Sequence, residues 1–168
     1  MTPKLRVFLA TAVPLVVLDA ATKELAMRYL RPFVPHPVLG EWIRLTLVFN
    51  THGAMGLTLG SLSRVVFGAI AVVALVVLGV MLRRSPPGRR LRAAVIGLLF
   101  AGAAGNLWDR LRWSQGVVDF IDVGTARWRF WTFNVADSAL TVGALALAIL
   151  LWREDAARAA GGPGAAPR

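Results

Sequence analysis

The chain has 168 residues, 57% of them hydrophobic, with a mean hydropathy of +0.62 and its charges gathered between long apolar runs, which excludes an ordinary water-soluble domain. It has no cysteine and only two histidines, His36 and His52, so disulfides, thiolate chemistry, H-E-x-x-H zinc helices and multi-histidine metal clusters are excluded. The net charge of +10 is assigned to membrane topology and anionic lipid, not to nucleic acid, because arginines flanking apolar spans have that role in membrane proteins.

The length allows about four helices of ~20 residues and no second domain. The expected architecture is an all-α membrane protein: one four-helix domain over residues 1–152, with spans at about 5–28, 63–83, 92–110 and 131–152, and a disordered cytoplasmic tail over 153–168. The first run, LRVFLATAVPLVVL, has the look of a secretory signal, yet it continues through DAATKELAMRYL. An uncleaved first span is therefore expected, with Asp19 and Lys23 i,i+4 on one helical face and Pro14 placed to kink it. Pro32, Pro35, Pro37 and Gly40 then break the helical signal, leaving His36 in a loop, and Trp42 to Phe49 reads as strand in a small extramembrane unit over about 31–50.

Residues 50–60, NTHGAMGLTLG, read as a turn before a helix, or as a place where backbone approaches another segment or a ligand closely. Val65 to Leu82 carries no charge and is bracketed by Arg64 and Arg83; the basic RRSPPGRRLR that follows (83–92) faces the cytoplasm by the positive-inside rule. Both termini then lie inside, in agreement with Lys4, Arg6, Arg153, Arg158 and Arg168. Arg28, Arg31, Arg44, Arg112, Arg127 and Arg129 fall outside, where they serve lipid headgroups or structure. The third span ends in AGAAGNLW, small residues that let helices pack closely.

On this topology Asp19, Asn50, Asn106, Asp109, Arg110, Asp119, Asn134 and Asp137 gather near the outer interface. Asp119 and Asp137 lie at or inside apolar sequence, where a carboxylate costs at least ~2.5 kcal/mol unless neutralised, paired or wetted. Two converging acids can share a proton and activate a water; the pattern alone equally admits helix-packing polar residues or a proton relay. Asp109 beside Arg110 reads as an internal ion pair or cap, and Asp122 as a solvated loop residue. Asn134, three residues before Asp137, is expected on the same helical face, orienting a water or a carboxylate.

GNLWDR (105–110), VVDF (117–120) and FNVAD (133–137), together with DAATK (19–23) and NTHGAMGL (50–57), resemble the five motif regions of bacterial lipoprotein signal peptidase, or signal peptidase II. The resemblance covers residues 5–152. It implies an inner-membrane aspartic endopeptidase, without cofactor or metal, that cleaves prolipoproteins just before a diacylglyceryl-modified cysteine, with the active site near the outer face. By position Asp119 and Asp137 would be the catalytic dyad. Asn50, Gly102, Asn106, Arg110, Val118, Asn134 and Ala136 would line the substrate pocket or support the dyad, and Asp19, Lys23 and Asp109 would be structural polar residues. It further implies an extracytoplasmic β-cradle matching 31–50, a short interfacial helix near 53–62, contact with membrane phospholipid, inhibition by globomycin-type cyclic peptides, and a monomer. His52, Gly53 and Met55 depart from the usual N-x-G-A-A-F, which bears on local backbone shape and inhibitor contacts.

Two rival readings make different expectations. A small proton-coupled transporter would use the same aspartates for flux without cleavage, although the acids cluster at one interface and no span shows broken half-helices. A structural membrane subunit would tolerate the loss of either aspartate.

Overall fold

The computed structural model describes residues 1–51 and 59–160. Among them are the helices α1 (Pro3–Tyr29), α2 (Ser63–Arg84), α3 (Arg90–Arg112) and α4 (Val135–Ala160) and the strands β1 (His36–Leu39), β2 (Ile43–Asn50) and β3 (Val117–Val123). All four helices are long and apolar enough to cross a membrane. Their mean packing is uneven: α3 is the buried one, while α2 leaves nearly all of its surface outward.

Small residues put α3 at the centre. Its buried face carries Ala93, Gly97, Ala101, Gly102, Ala103 and Gly105, and it packs against α1, α2 and α4. A Cβ built on Gly102 would lie 2.4 Å from the Ala136 carbonyl oxygen, and one on Gly105 would lie 2.5 Å from Asp19 Oδ2. Those glycines set how closely α4 and the Asp19 carboxylate approach α3. One apolar cluster, including Phe8, Ala12, Leu78, Ile96 and Leu99, fills the bundle; a second, around Ala26, Leu47, Val118 and Phe120, joins α1 to the sheet.

The sheet is antiparallel in the order β1-β2-β3. Its third strand lies outside the 31–50 unit expected from sequence, and the signal for it was present: VVDFIDV is β-branched and aromatic and lies between Gly116 and Gly124. His36 opens β1 opposite Leu45 and is not a loop residue, because β2 supplies the partner its backbone needs. Between the pairs Leu45↔Ile121 and Val48↔Asp119, β2 spends one residue more than β3, so a bulge lies beside Asp119.

The fourth helix starts at Val135, later than the 131 expected. Phe133 exchanges backbone hydrogen bonds with Ile121 at 2.8 and 3.0 Å, so residues 131–133 are drawn to the sheet before the helix can begin. At its other end the helix runs on through 153–160, which were expected to be disordered, since the alanine-rich sequence meets no glycine before Gly161. Residues 161–168 lie outside the described residues. So do His52, Gly53 and Met55 and most of the expected helix near 53–62, of which a single 3-10 turn, Gly60–Leu62, is described.

Candidate active site

Asp119 and Asp137 reach one site from different elements. Asp119 stands on β3 opposite Val48, only 2% exposed. Asp137 is in the first turn of α4, half-buried. Asn134 joins them. Its side-chain Nδ2 donates to Asp119 Oδ1 at 2.7 Å, and to Asn106 Oδ1 and the Val118 carbonyl at 3.1 and 3.2 Å. Its Oδ1 accepts from the Asp137 backbone N–H at 2.8 Å, while its own N–H donates to Asp137 Oδ2 at 3.3 Å.

That exchange is a reciprocal cap at the start of α4, so Asn134 precedes the helix and does not share a helical face with Asp137. The difference has consequences. A residue capping the helix has its amide free to leave the helix axis and meet β3, which a residue inside the first turn would not.

The remaining partners come from farther away. Asn106 on α3 donates from Nδ2 to Asp137 Oδ1 at 2.7 Å, and Asn50 at the end of β2 donates to Asp119 Oδ2 at 3.1 Å. Burial pushes the Asp119 carboxyl up to about 7, the nearby Asp137 charge adds to the rise, and the Asn50 and Asn134 hydrogen bonds and the Lys23 charge oppose it.

Behind the asparagines lies a buried cation. Lys23 Nζ contacts Asp19 Oδ2 at 2.7 Å, Asp109 Oδ2 at 2.9 Å and Asn106 Oδ1 at 3.2 Å, with all three ionisable side chains at most 5% exposed. Asp19 also accepts from the Ala136 N–H at 2.8 Å, and Asp109 from the Val118 N–H at 3.1 Å. Asp109 is therefore paired to Lys23 and to β3, where the sequence placed it with Arg110. Adjacent residues on a helix point apart, and only the packing of α1 on α3 brings Lys23 within reach. Arg110 instead donates to the Asn106 carbonyl at 3.0 Å, lies over the Phe67 ring and is close enough to Asp137 and Asp119 to feel their charge.

Gly102 and Ala136 meet in the contact between α3 and α4, and Val118 is fully buried and presents its carbonyl to Asn134. Asp122 is 4% exposed and not solvated. It takes Arg44, directly across the strand pair, at 2.9 and 3.0 Å, Arg129 at 2.5 Å and Thr46 at 2.9 Å. Burial alone would raise this carboxyl, but the hydrogen bonds from Arg129, Arg44 and Thr46 hold it below the usual range. Two of the outer arginines thus have a structural role in the sheet. Among the described residues, no three His, Asp or Glu side chains gather in a way that could hold a metal ion.

Residues 11–153 match the family model described as signal peptidase (SPase) II. The chain is 37% identical over 160 residues to the lipoprotein signal peptidase of Geobacter sulfurreducens, covering 95% of this chain and 99% of that one. It is 36% identical over 136 residues to that of Geobacillus kaustophilus, covering 81% and 86%. Among solved structures it resembles a bacterial membrane enzyme determined by the in meso method at 2.3 Å resolution, with a TM-score of 0.81 and 29% identity over 92% of this chain and 94% of that one. A second, at 1.9 Å resolution, gives a TM-score of 0.76 and 30% identity over 86% and 91%. A match over most of the chain, on a four-helix membrane scaffold that gathers the motif residues into one buried network, makes this chain a multi-pass membrane peptidase of the signal peptidase II family.

Proposed function

We propose that Asp119 and Asp137 are the catalytic dyad, and that the peptidase removes the signal peptide of prolipoproteins at the bond preceding a diacylglyceryl-modified cysteine. The observation that carries the reading is Asn134, whose amide holds Asp119 while its cap holds Asp137. Two carboxylates fixed on one asparagine are arranged to work as a unit.

In this mechanism the pair holds one proton, placed on Asp119, whose carboxyl is the more deeply buried and is pushed up to about 7 by that burial. Asp137 removes a proton from water, the water oxygen attacks the scissile carbonyl carbon, and Asp119 gives its proton to the carbonyl oxygen. Asp137 then gives the proton it took to the departing nitrogen as the C–N bond breaks, a hydroxyl proton of the tetrahedral intermediate passes back to Asp119, and the pair returns to its one-proton state with a carboxylic acid and an amine released.

Asn50, Asn106 and Asn134 hold the dyad, and Arg110 with the Val118 backbone borders the path of the peptide. Gly102 and Ala136 act by packing, and Asp19, Lys23 and Asp109 form the support beneath. The β1-β2-β3 sheet serves as the extracytoplasmic cradle, and the diacylglyceryl chains enter from lipid between the helices. The enzyme acts as a monomer with a single domain. It lies in the bacterial inner membrane with both termini cytoplasmic and the site near the outer face, and globomycin-type cyclic peptides inhibit it by occupying that site.

The test is cleavage of a diacylglyceryl-modified preprolipoprotein by the purified protein, beside Asp119→Asn, Asp137→Asn and an unlipidated substrate. Cleavage of the lipidated substrate alone, reduced at least ~10³-fold by each substitution, is expected. Full cleavage by either variant would exclude the dyad.

A further inference from the structure

At the end of the bundle away from the sheet, where α2 gives way to α3, lies an open groove of about 410 Å³. Its wall is Val76, Val77, Val80 and Met81 of α2, and its polar end is Arg84 and Arg92. Val76 and Val77 are at least half exposed on a helix able to cross a membrane, so the apolar wall opens toward acyl chains, while the arginines lie where that helix ends.

The positive charge there exceeds what the described residues neutralise. Residues 83–92 carry Arg83, Arg84, Arg89, Arg90 and Arg92 and no acid. Among the described residues, the ion pairs of this segment are those of Arg89 and Arg92 with the single carboxylate of Glu154, at 3.0 and 3.2 Å. Lys4 adds another cation, but its Nζ is committed to the carbonyls of Arg83 and Ser85 at 2.9 and 2.5 Å. One donor is left over: the Nε of Arg92 is buried and has no hydrogen-bond partner among the described residues. A buried N–H without an acceptor is costly, and a guanidinium is suited to phosphate oxygens.

We propose that this groove is a binding site for one anionic phospholipid of the leaflet at that end of the bundle. One acyl chain lies along Val76, Val77, Val80 and Met81, and the phosphate accepts from Arg84 and Arg92. A net-negative headgroup is selected over a zwitterionic one because the excess of arginine is opposed by a single carboxylate. The site is separate from the aspartate network at the other end and has no part in cleavage.

The test is native mass spectrometry of the full-length protein, delipidated in detergent and titrated with dioleoyl phosphatidylglycerol, dioleoyl phosphatidylcholine or inorganic phosphate. Wild type is expected to retain one phosphatidylglycerol about tenfold more strongly than phosphatidylcholine. The R84Q/R92Q double variant loses that preference, and R127Q, remote from the groove, keeps it. Val80→Trp fills the groove with every arginine and ion pair intact, and is expected to lose retention as well; it decides the matter if the double variant fails to fold. Equal retention of the two lipids, a preference that survives in either groove variant, or displacement of the lipid by inorganic phosphate would overturn the proposal.

Discussion

Asp119 ties stability to the proposed chemistry through one carboxyl. Its carboxyl is raised from 3.8 to about 7, so the folded state binds more protons than the unfolded state across that interval. The contribution of Asp119 to stability is then fully present below about 4 and is lost as the pH rises through about 7, because ionising a buried acid beside Asp137 works against folding. Thermal unfolding in detergent at pH 4 to 8 is expected to show this decline in wild type and a flatter profile in Asp119→Asn. Cleavage by wild type is expected to decline above about pH 7, as the shared proton is lost. Lys23 poses the opposite problem. Lys23→Met would strand Asp19 and Asp109 as buried carboxylates without their cation, a loss of ~3–5 kcal/mol. It would also leave the Asn106 side-chain oxygen with the Asn134 amide as its one remaining donor, loosening the direction in which the Asn106 amide meets Asp137. Chemical denaturation in micelles is expected to show the stability loss, and kcat to fall even at temperatures where the variant remains folded.

The helices meet through glycines placed where a side chain cannot go. At Gly102 the obstacle is the Ala136 backbone oxygen, which cannot swing aside as a side-chain tip can. Gly102→Ala is therefore expected to separate α3 from α4 and to cost ~1–3 kcal/mol. Gly79→Ala on α2 is the matched control, because a Cβ there meets nothing within 4 Å. It is expected to leave the unfolding temperature unchanged or raise it, since glycine is the poorer helix former by ~1 kcal/mol. The sheet depends on a different device. Arg44 and Arg129 converge on Asp122, which holds β2, β3 and the 125–130 turn in one register, and that register sets Asp119 opposite Val48.

Across the whole molecule, the four helices place the aspartate network at one end and the arginine-rich 83–92 connection at the other. The absence of native cysteine makes this orientation directly measurable, because a single introduced thiol has no background. Gly88→Cys, at a position where a side chain meets open space, is expected to react with a membrane-impermeant maleimide only after the inner membrane is permeabilised. Arg127→Cys, in the turn after β3, is expected to react in intact spheroplasts. The opposite labelling pattern would invert the topology and move the site to the cytoplasmic face.

What the sequence by itself determined follows from costs that act locally along a chain. About twenty predominantly apolar residues are needed to cross a bilayer, so four long apolar stretches announce four helices. A carboxylate amid apolar residues is conspicuous for the same reason, which is why Asp119 and Asp137 stand out before any fold is known. Asp19 and Lys23 were legible as a pair because i,i+4 neighbours share a helical face. Tertiary structure decided what depends on partners far along the chain. Asp122 reads as solvated until Arg44 is brought across the sheet to it. Asp109 reads as the partner of Arg110 until α1 delivers Lys23. Asn134 reads as a helical residue until Phe133 is bound to β3 and the helix must start one residue after the asparagine. In each case the deciding contact joins separate elements, and sequence spacing records only the neighbours that one element brings together.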